Sequence, residues 1–413
     1  MFELKKDNVI DYLAPRLPQF DFSKDVTVTR IGEGDDEAEG QGFINFMYKV
    51  KGKDFSLIVK QGLSKPRLEA MNFSLPPERN MMEYESFRVR YSIIPKYVPK
   101  PYFQDMENHI FVMEDVSRLR IVRFIWNEDK ILPKFAEQMG EFIAASSFYS
   151  SEFYLSREDF RELRNGFTNT KMRKILEDWI FLRKHDLGVS EDCKEFVHLF
   201  DPEYDEELKE ACYELRRHYM SHEEALIHSD LHTSNVFADE NEMKVIDMEY
   251  TFAGPISFDL GYLLFNVIGQ YCASAFRPYE DLEQRKKFRL SMLHTLTGVV
   301  DSFRKHFKEY WKKDAKSYYK DAPESFVDHF LDQMIPELIG YAGIVNMYRL
   351  TSMHDYPDFD SIKEKEARVN AKKLCLLISR KMVLSRNEFH SMQELVDEML
   401  RIEEIYRDNM QKK

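Results

Sequence analysis

Residues 228–235 read His-Ser-Asp-Leu-His-Thr-Ser-Asn, and residues 245–250 read Val-Ile-Asp-Met-Glu-Tyr. Phosphoryl transfer needs a carboxylate to orient or deprotonate an attacking hydroxyl, and oxygen ligands for a Mg²⁺ ion bridging the phosphates. Asp230 could be that carboxylate, Asn235 a neutral metal ligand, and Asp247 and Glu249 two charged ones. Residues two apart on a strand share a face, so a strand over 245–250 would turn both carboxylates toward one ion. Zinc is the competing reading, because His228 and His232 are four apart. The zinc-protease pattern, however, needs a glutamate directly after the first histidine and a helix to carry it, and Ser229 in a loop meets neither condition. Taken one at a time, these residues are equally well explained as caps, Asx turns or solvated strand ends.

The N-terminal part offers the other half of a nucleotide site. "AEGQGFINFMYKV" is a turn with Gly40 and Gly42 running into a strand at Asn45, a shape that lets backbone N–H groups approach phosphates. Lys60 falls in the middle of the apolar run "LIVKQ", where an ammonium needs a partner, and Glu83 on the following helix can supply one. A snorkelling edge lysine is the alternative. In "FVMED", the backbone at Met113 and Glu114 could meet adenine.

These residues must be held by two kinds of element. "VTVTRIG" (26–32), "NFMYKV" (45–50), "FSLIVKQ" (55–61) and "HIFVMED" (109–115) read as strands, rich in β-branched and aromatic residues. "PPERNMMEYESFRVRYSII" reads as a helix with proline in its first turn. From about residue 130, apolar residues recur at helical spacing in "LPKFAEQMGEFIAASSFYS", "TKMRKILEDWIFLRKH", "DEELKEACYELRRHYMSHEEAL" and most of 281–410. One interruption, 235–250, reads as a hairpin turning at "DENE". The expected fold class is therefore α+β: an antiparallel-sheet N-terminal lobe over 1–114 and a mostly helical lobe over 115–413.

Composition narrows the partners. A chain of 413 residues exceeds what one core usually supports, and 43% hydrophobic residues argue for a folded protein. A net charge of -13 with no basic block argues against nucleic acid. No apolar run approaches the ~20 residues of a membrane span, and the N-terminus lacks signal-peptide features. Four scattered cysteines without a CxxC pair read as buried free thiols of a cytoplasmic protein.

The order of glycine turn, strand lysine, helix glutamate, "HSDLHTSN" and "DME" resembles the aminoglycoside phosphotransferase and choline kinase group of protein-kinase-like folds. Within it, "VMEDVSRLRIVR", "FYSSEFYL", "TFAGPISFDLG" and "LIGYAGIVNMYRL" are most similar to the S-methyl-5-thioribose kinase family. The resemblance implies a two-lobed fold and Mg·ATP as phosphoryl donor. It implies Asp230 as catalytic base, Asp247 and Glu249 as magnesium ligands, and Lys60, Glu83 and the loop from Gly40 to Asn45 as ATP contacts. It also implies a small-molecule acceptor, methylthioribose or a close sugar analogue, and a possible homodimer. Three positions depart from the family pattern: Ser229 stands where it has glycine, Asn235 where thioribose kinases tend to carry serine although it suits the wider phosphotransferase pattern, and Tyr348 precedes Arg349 where the family has paired arginines. The acidic stretch with carboxylates at 33, 35, 36, 37 and 39 is an extension of that pattern. A kinase for an amino alcohol, an aminoglycoside or another sugar, and a non-catalytic nucleotide-binding protein, are the alternatives.

Overall fold

The computed structural model describes residues 2–32, 45–62, 75–182, 188–279, 281–352 and 356–412. The chain forms two compact units. The first comprises residues 1–119 together with 169–172 and 244–251; the second comprises 120–168, 173–243 and 252–413.

In the first unit, strands β1 (Thr27–Arg30), β2 (Phe46–Lys51), β3 (Ser56–Gln61), β4 (Pro101–Asp105) and β5 (Ile110–Glu114) form one sheet in the order β1-β2-β3-β5-β4. Every pairing is antiparallel. Alternation along the strands assigns their two faces. Tyr48, Val50, Leu57, Val59, Ile110 and Val112 pack with Leu4, Val9, Leu13 and Leu17 of the N-terminal segment. Side chains one residue out of phase belong to the opposite face, and Lys60 is among them, directly across from Phe111. There Phe111 meets Tyr84 and Phe87 of the helix Arg79–Ile93, at 6.0 Å between ring centroids in each case. β4 adds a strand to those read from the sequence; it begins at proline, on the sheet edge where a missing N–H is tolerated.

The second unit is built from long helices. Phe135–Tyr149, Glu206–Ser221, Leu282–Asp314, Glu324–Thr351, Lys365–Leu384 and Met392–Gln411 follow the amphipathic segments of the sequence. The helix Ile256–Phe276 does not: residues 256–275 are all buried, so it has no polar face to reveal a period. Strand Val236–Ala238 pairs antiparallel with Arg120–Ile121, and Asp239 N–H closes the expected turn on Glu242 O at 3.0 Å. All four cysteines are buried free thiols. Among the described residues no helix is long and apolar enough to cross a membrane.

Candidate active site

Lys60 and Glu83 are brought together inside the first unit. β3 directs Lys60 to the helix Arg79–Ile93, and its Nζ lies 2.7 Å from Glu83 Oε2 and 2.7 Å from Asp247 Oδ1. The segment carrying Asp247 is held by one stripe of that helix. Arg79 Nε reaches Glu249 Oε2 at 3.1 Å, Ser86 Oγ is 2.9 Å from Thr251 Oγ1, and Arg90 donates to Thr251 Oγ1 at 3.2 Å. Positions 79, 83, 86 and 90 recur at three- and four-residue spacing and therefore share a face. Asn169 adds bonds from Nδ2 to the carbonyls of Glu249 and Thr251, at 2.8 and 3.0 Å.

The carboxylates of Glu83, Asp247 and Glu249 lie within 4.8 Å of one another, the one such ligand group among the described residues. They do not converge through a strand, as the sequence led us to expect. The nearest strand ends at Val245, and Asp247 takes a left-handed conformation with φ 61°. An aspartate tolerates that turn, which lets positions 247 and 249 approach without the two-residue repeat of a strand.

Burial pushes the Glu83 carboxyl up; Lys60 opposes the shift, while Asp247 and Glu249 reinforce it. Burial raises Glu249 too, again against the pull of Lys60. For Lys60, burial works against the charge, but Asp247, Glu83 and Glu249 outweigh it and the ammonium is held more firmly. Counted as fully ionised, three carboxylates face two cations, Lys60 and Arg79, and the upward push on Glu83 and Glu249 reflects both burial and that crowding of negative charge. Oxygen donors crowded in this way suit a hard divalent cation such as Mg²⁺.

Asn45 lies in this unit as well, buried, with Oδ1 accepting from Arg79 Nη2. Met113 and Glu114 end β5. Glu114 N–H donates to Lys100 O at 2.9 Å and Asp115 N–H to Ser56 O at 3.3 Å. Gly40, Gly42 and the acidic stretch 33–39 lie outside the described residues.

Asp230 belongs to the second unit, in a loop hung from the helix Ile256–Phe276. Asp259 accepts from the backbone N–H groups of His228 and Ser229 at 2.6 and 2.7 Å, and Asn266 Oδ1 accepts from Thr233 N–H at 2.9 Å. Tyr262, between them on the same helical face, accepts from Arg349 Nη2 at 3.2 Å and lies beside Asp230, whose carboxyl it helps to hold low. Arg349 lies in the last turn of Glu324–Thr351, beside the buried Tyr348. Asn235 Nδ2 donates to Asp230 O at 2.9 Å and approaches its Oδ2 at 3.4 Å.

The two histidines brace this loop. His228 Nδ1 accepts from Asp230 N–H at 3.3 Å, and His232 Nδ1 accepts from Ser234 N–H at 3.2 Å. His232 Nε2 lies 3.5 Å from Asp230 Oδ2. Burial alone would raise the Asp230 carboxyl, yet His232, Arg349 and Tyr262 hold it well below the usual carboxylate range. Ser229 adopts a left-handed conformation with φ 69°.

Residues 40–287 match the family model described as "Phosphotransferase enzyme family". The chain belongs to that family. The methylthioribose kinase of Geobacillus thermodenitrificans is 30% identical over 354 residues, 84% of this chain and 86% of that protein. The methylthioribose kinase of Bacillus velezensis is 28% identical over 409 residues, 98% of each chain. Among solved structures, choline kinase from Cryptosporidium parvum covers 95% of this chain and 97% of its own, with a TM-score of 0.50 at 10% identity. That likeness speaks to the fold alone and agrees with the expected α+β class.

Within this phosphotransferase, sequence reading missed Arg79, Asp259, Tyr262 and Asn266. Arg79 carried a usable signal, one helical turn before Glu83. Asp259 and Asn266 were polar residues in an otherwise apolar segment, where burial demands a hydrogen-bonding reason.

Proposed function

We propose that this phosphotransferase is an ATP-dependent kinase that phosphorylates the 1-hydroxyl of S-methyl-5-thioribose, or of a close sugar analogue, in the cytoplasm. The names of the relatives spanning most of the chain support the acceptor. The observation that carries the chemistry is Asp230, a half-buried carboxylate with His232 Nε2 3.5 Å from its Oδ2, held below the usual carboxylate range by His232, Arg349 and Tyr262.

In this reading the acceptor hydroxyl oxygen forms a bond to the γ-phosphorus of ATP while the bond to the β,γ-bridging oxygen breaks, and ADP leaves. Asp230 accepts a hydrogen bond from the hydroxyl, orients its lone pair and takes up the proton, which passes to solvent. A carboxylate held below its ordinary range is a weak base, so orientation comes first and proton transfer late, as suits a loose transition state. Arg349 balances negative charge at the acceptor end. Lys60 would contact the nucleotide phosphates, and Asp247 and Glu249 would hold Mg²⁺. When bound, Mg²⁺ supplies charge neutralisation for the phosphates.

Gly40, Gly42 and Asn45 would cover the phosphates. The backbone around Met113 and Glu114 would lie near adenine, with the contact made beyond Asp115 because the N–H groups of Glu114 and Asp115 are already used in the sheet.

ADP release from Mg·ATP, measured with methylthioribose, ribose, choline and an aminoglycoside in parallel, tests this reading. Turnover confined to methylthioribose is expected. Turnover with choline or the aminoglycoside alone would discard the sugar.

A further inference from the structure

Tyr262 is a buried phenol between the two charged groups of the acceptor end, and its hydroxyl faces both. The ring is fixed independently of that hydroxyl: its centroid lies 5.4 Å from Phe258 and 5.3 Å from Phe265. The backbone is fixed as well, because Asp259 and Asn266, on the same helical face, hold the N–H groups of the Asp230 loop. A phenol has one proton to give. Arg349 Nη2 donates to its oxygen at 3.2 Å, which leaves the phenol proton for an acceptor, and Asp230 is the carboxylate that acts on this hydroxyl.

We propose that Tyr262 is a positioning residue for phosphoryl transfer, a neutral bridge that sets the Asp230 carboxylate and the Arg349 guanidinium in a fixed mutual orientation. The argument is one of geometry. A direct Asp230–Arg349 ion pair would satisfy both charges with each other and take carboxylate lone pairs away from an incoming hydroxyl. The intervening hydroxyl keeps the two charges apart while giving each a partner. Asp230 is thereby aimed without being consumed, and Arg349 keeps donors for the negative charge that develops on transfer. Tyr262 itself needs no contact with substrate.

The proposal rests on the kinase reading above, and its test separates the two. Tyr262→Phe removes only the hydroxyl and leaves the ring packing. Its expected effect is a fall in kcat of about 10-fold to 100-fold with methylthioribose, with KM for ATP unchanged, as misplacement of a reacting group would give. Tyr262→Phe combined with Arg349→Lys should be much less damaging than the product of the two single effects, since both act on one arrangement. A thermal melt of Tyr262→Phe close to that of the wild type confirms that the loss is not one of folding. Wild-type kcat in Tyr262→Phe, or strictly multiplicative effects in the double variant, would overturn the positioning role and leave the kinase reading intact. A wild-type protein without turnover on any acceptor would instead remove the kinase reading, and this proposal with it.

Discussion

The two units treat carboxylates shielded from solvent in opposite ways, Asp230 being half-buried and Glu83 and Glu249 buried. In the second, Asp230 faces cationic and hydrogen-bond-donating neighbours and its carboxyl is held low. In the first, Glu83 and Glu249 share Lys60 and Arg79 with a third carboxylate, and burial pushes both of them up. One arrangement is complete in itself, an acceptor of hydrogen bonds that needs only a hydroxyl. The other crowds three carboxyl groups around two cations, and a further cation would favour their ionised forms. On the proposed reading, the same residue type serves an organic substrate in one unit and a metal–nucleotide in the other.

The sharpest way to break this comparison is to remove one charge from each side. Asp230→Asn keeps the shape and most of the hydrogen bonds, and turnover should fall by about 10³-fold, within the range for a general base, while Mg·ATP still binds. Lys60→Met should act on the fold. It takes the partner from Glu83 and Asp247 while Glu249 keeps Arg79, and a broken buried ion pair costs about 3–5 kcal/mol, readable as a lower urea midpoint. Added Mg²⁺ should restore part of that loss, because it replaces the missing positive charge.

The opposite shifts also require opposite pH dependences. Glu83 rises from 4.5 to about 8, so its contribution to stability is complete below pH 4.5 and is lost as the pH climbs through about 8. Asp230 is depressed, so its contribution is present above its ordinary value of 3.8 and is lost as the pH falls through its lowered value. Urea midpoints across this range should show Glu83→Gln gaining on the wild type as the pH rises toward 8. Asp230→Asn should close its deficit below pH 3.8. Parallel curves for the two variants would remove the contrast.

The smallest expected effect concerns Ser229. At φ 69° a serine pays the left-handed penalty that glycine avoids, so Ser229→Gly should stabilise the protein by about 1 kcal/mol, seen as a higher melting temperature with activity retained.

What was legible in the sequence followed from solvent contrast. β2, β3 and β5 alternate or run apolar between turns, and the long helices of the second unit have a wet face. Lys60 and Glu83 were legible because an ammonium in an apolar strand demands a partner. Contrast fails where both sides of an element are dry. Ile256–Phe276 is buried all round, and its period was invisible. On Arg79–Ile93 the stripe of Arg79, Glu83, Ser86 and Arg90 is polar yet fully buried, so it reads as a wet face although it holds residues 244–251. The Asp247–Glu249 pair was found by residue type but assigned the wrong backbone, since spacing cannot distinguish a strand from a turn with one left-handed residue.

The central claim is a division of labour, with Mg·ATP held by the carboxylate cluster and the acceptor oriented by Asp230. Calorimetric titration of Mg·ATP into Asp230→Asn and Asp247→Asn, with single-turnover ADP formation on the same samples, tests it directly. The account expects Asp230→Asn to bind Mg·ATP as the wild type does but to form no ADP within the wild-type time course, and Asp247→Asn to lose magnesium-dependent binding. Wild-type ADP formation by Asp230→Asn, or undiminished magnesium-dependent binding by Asp247→Asn, would contradict it.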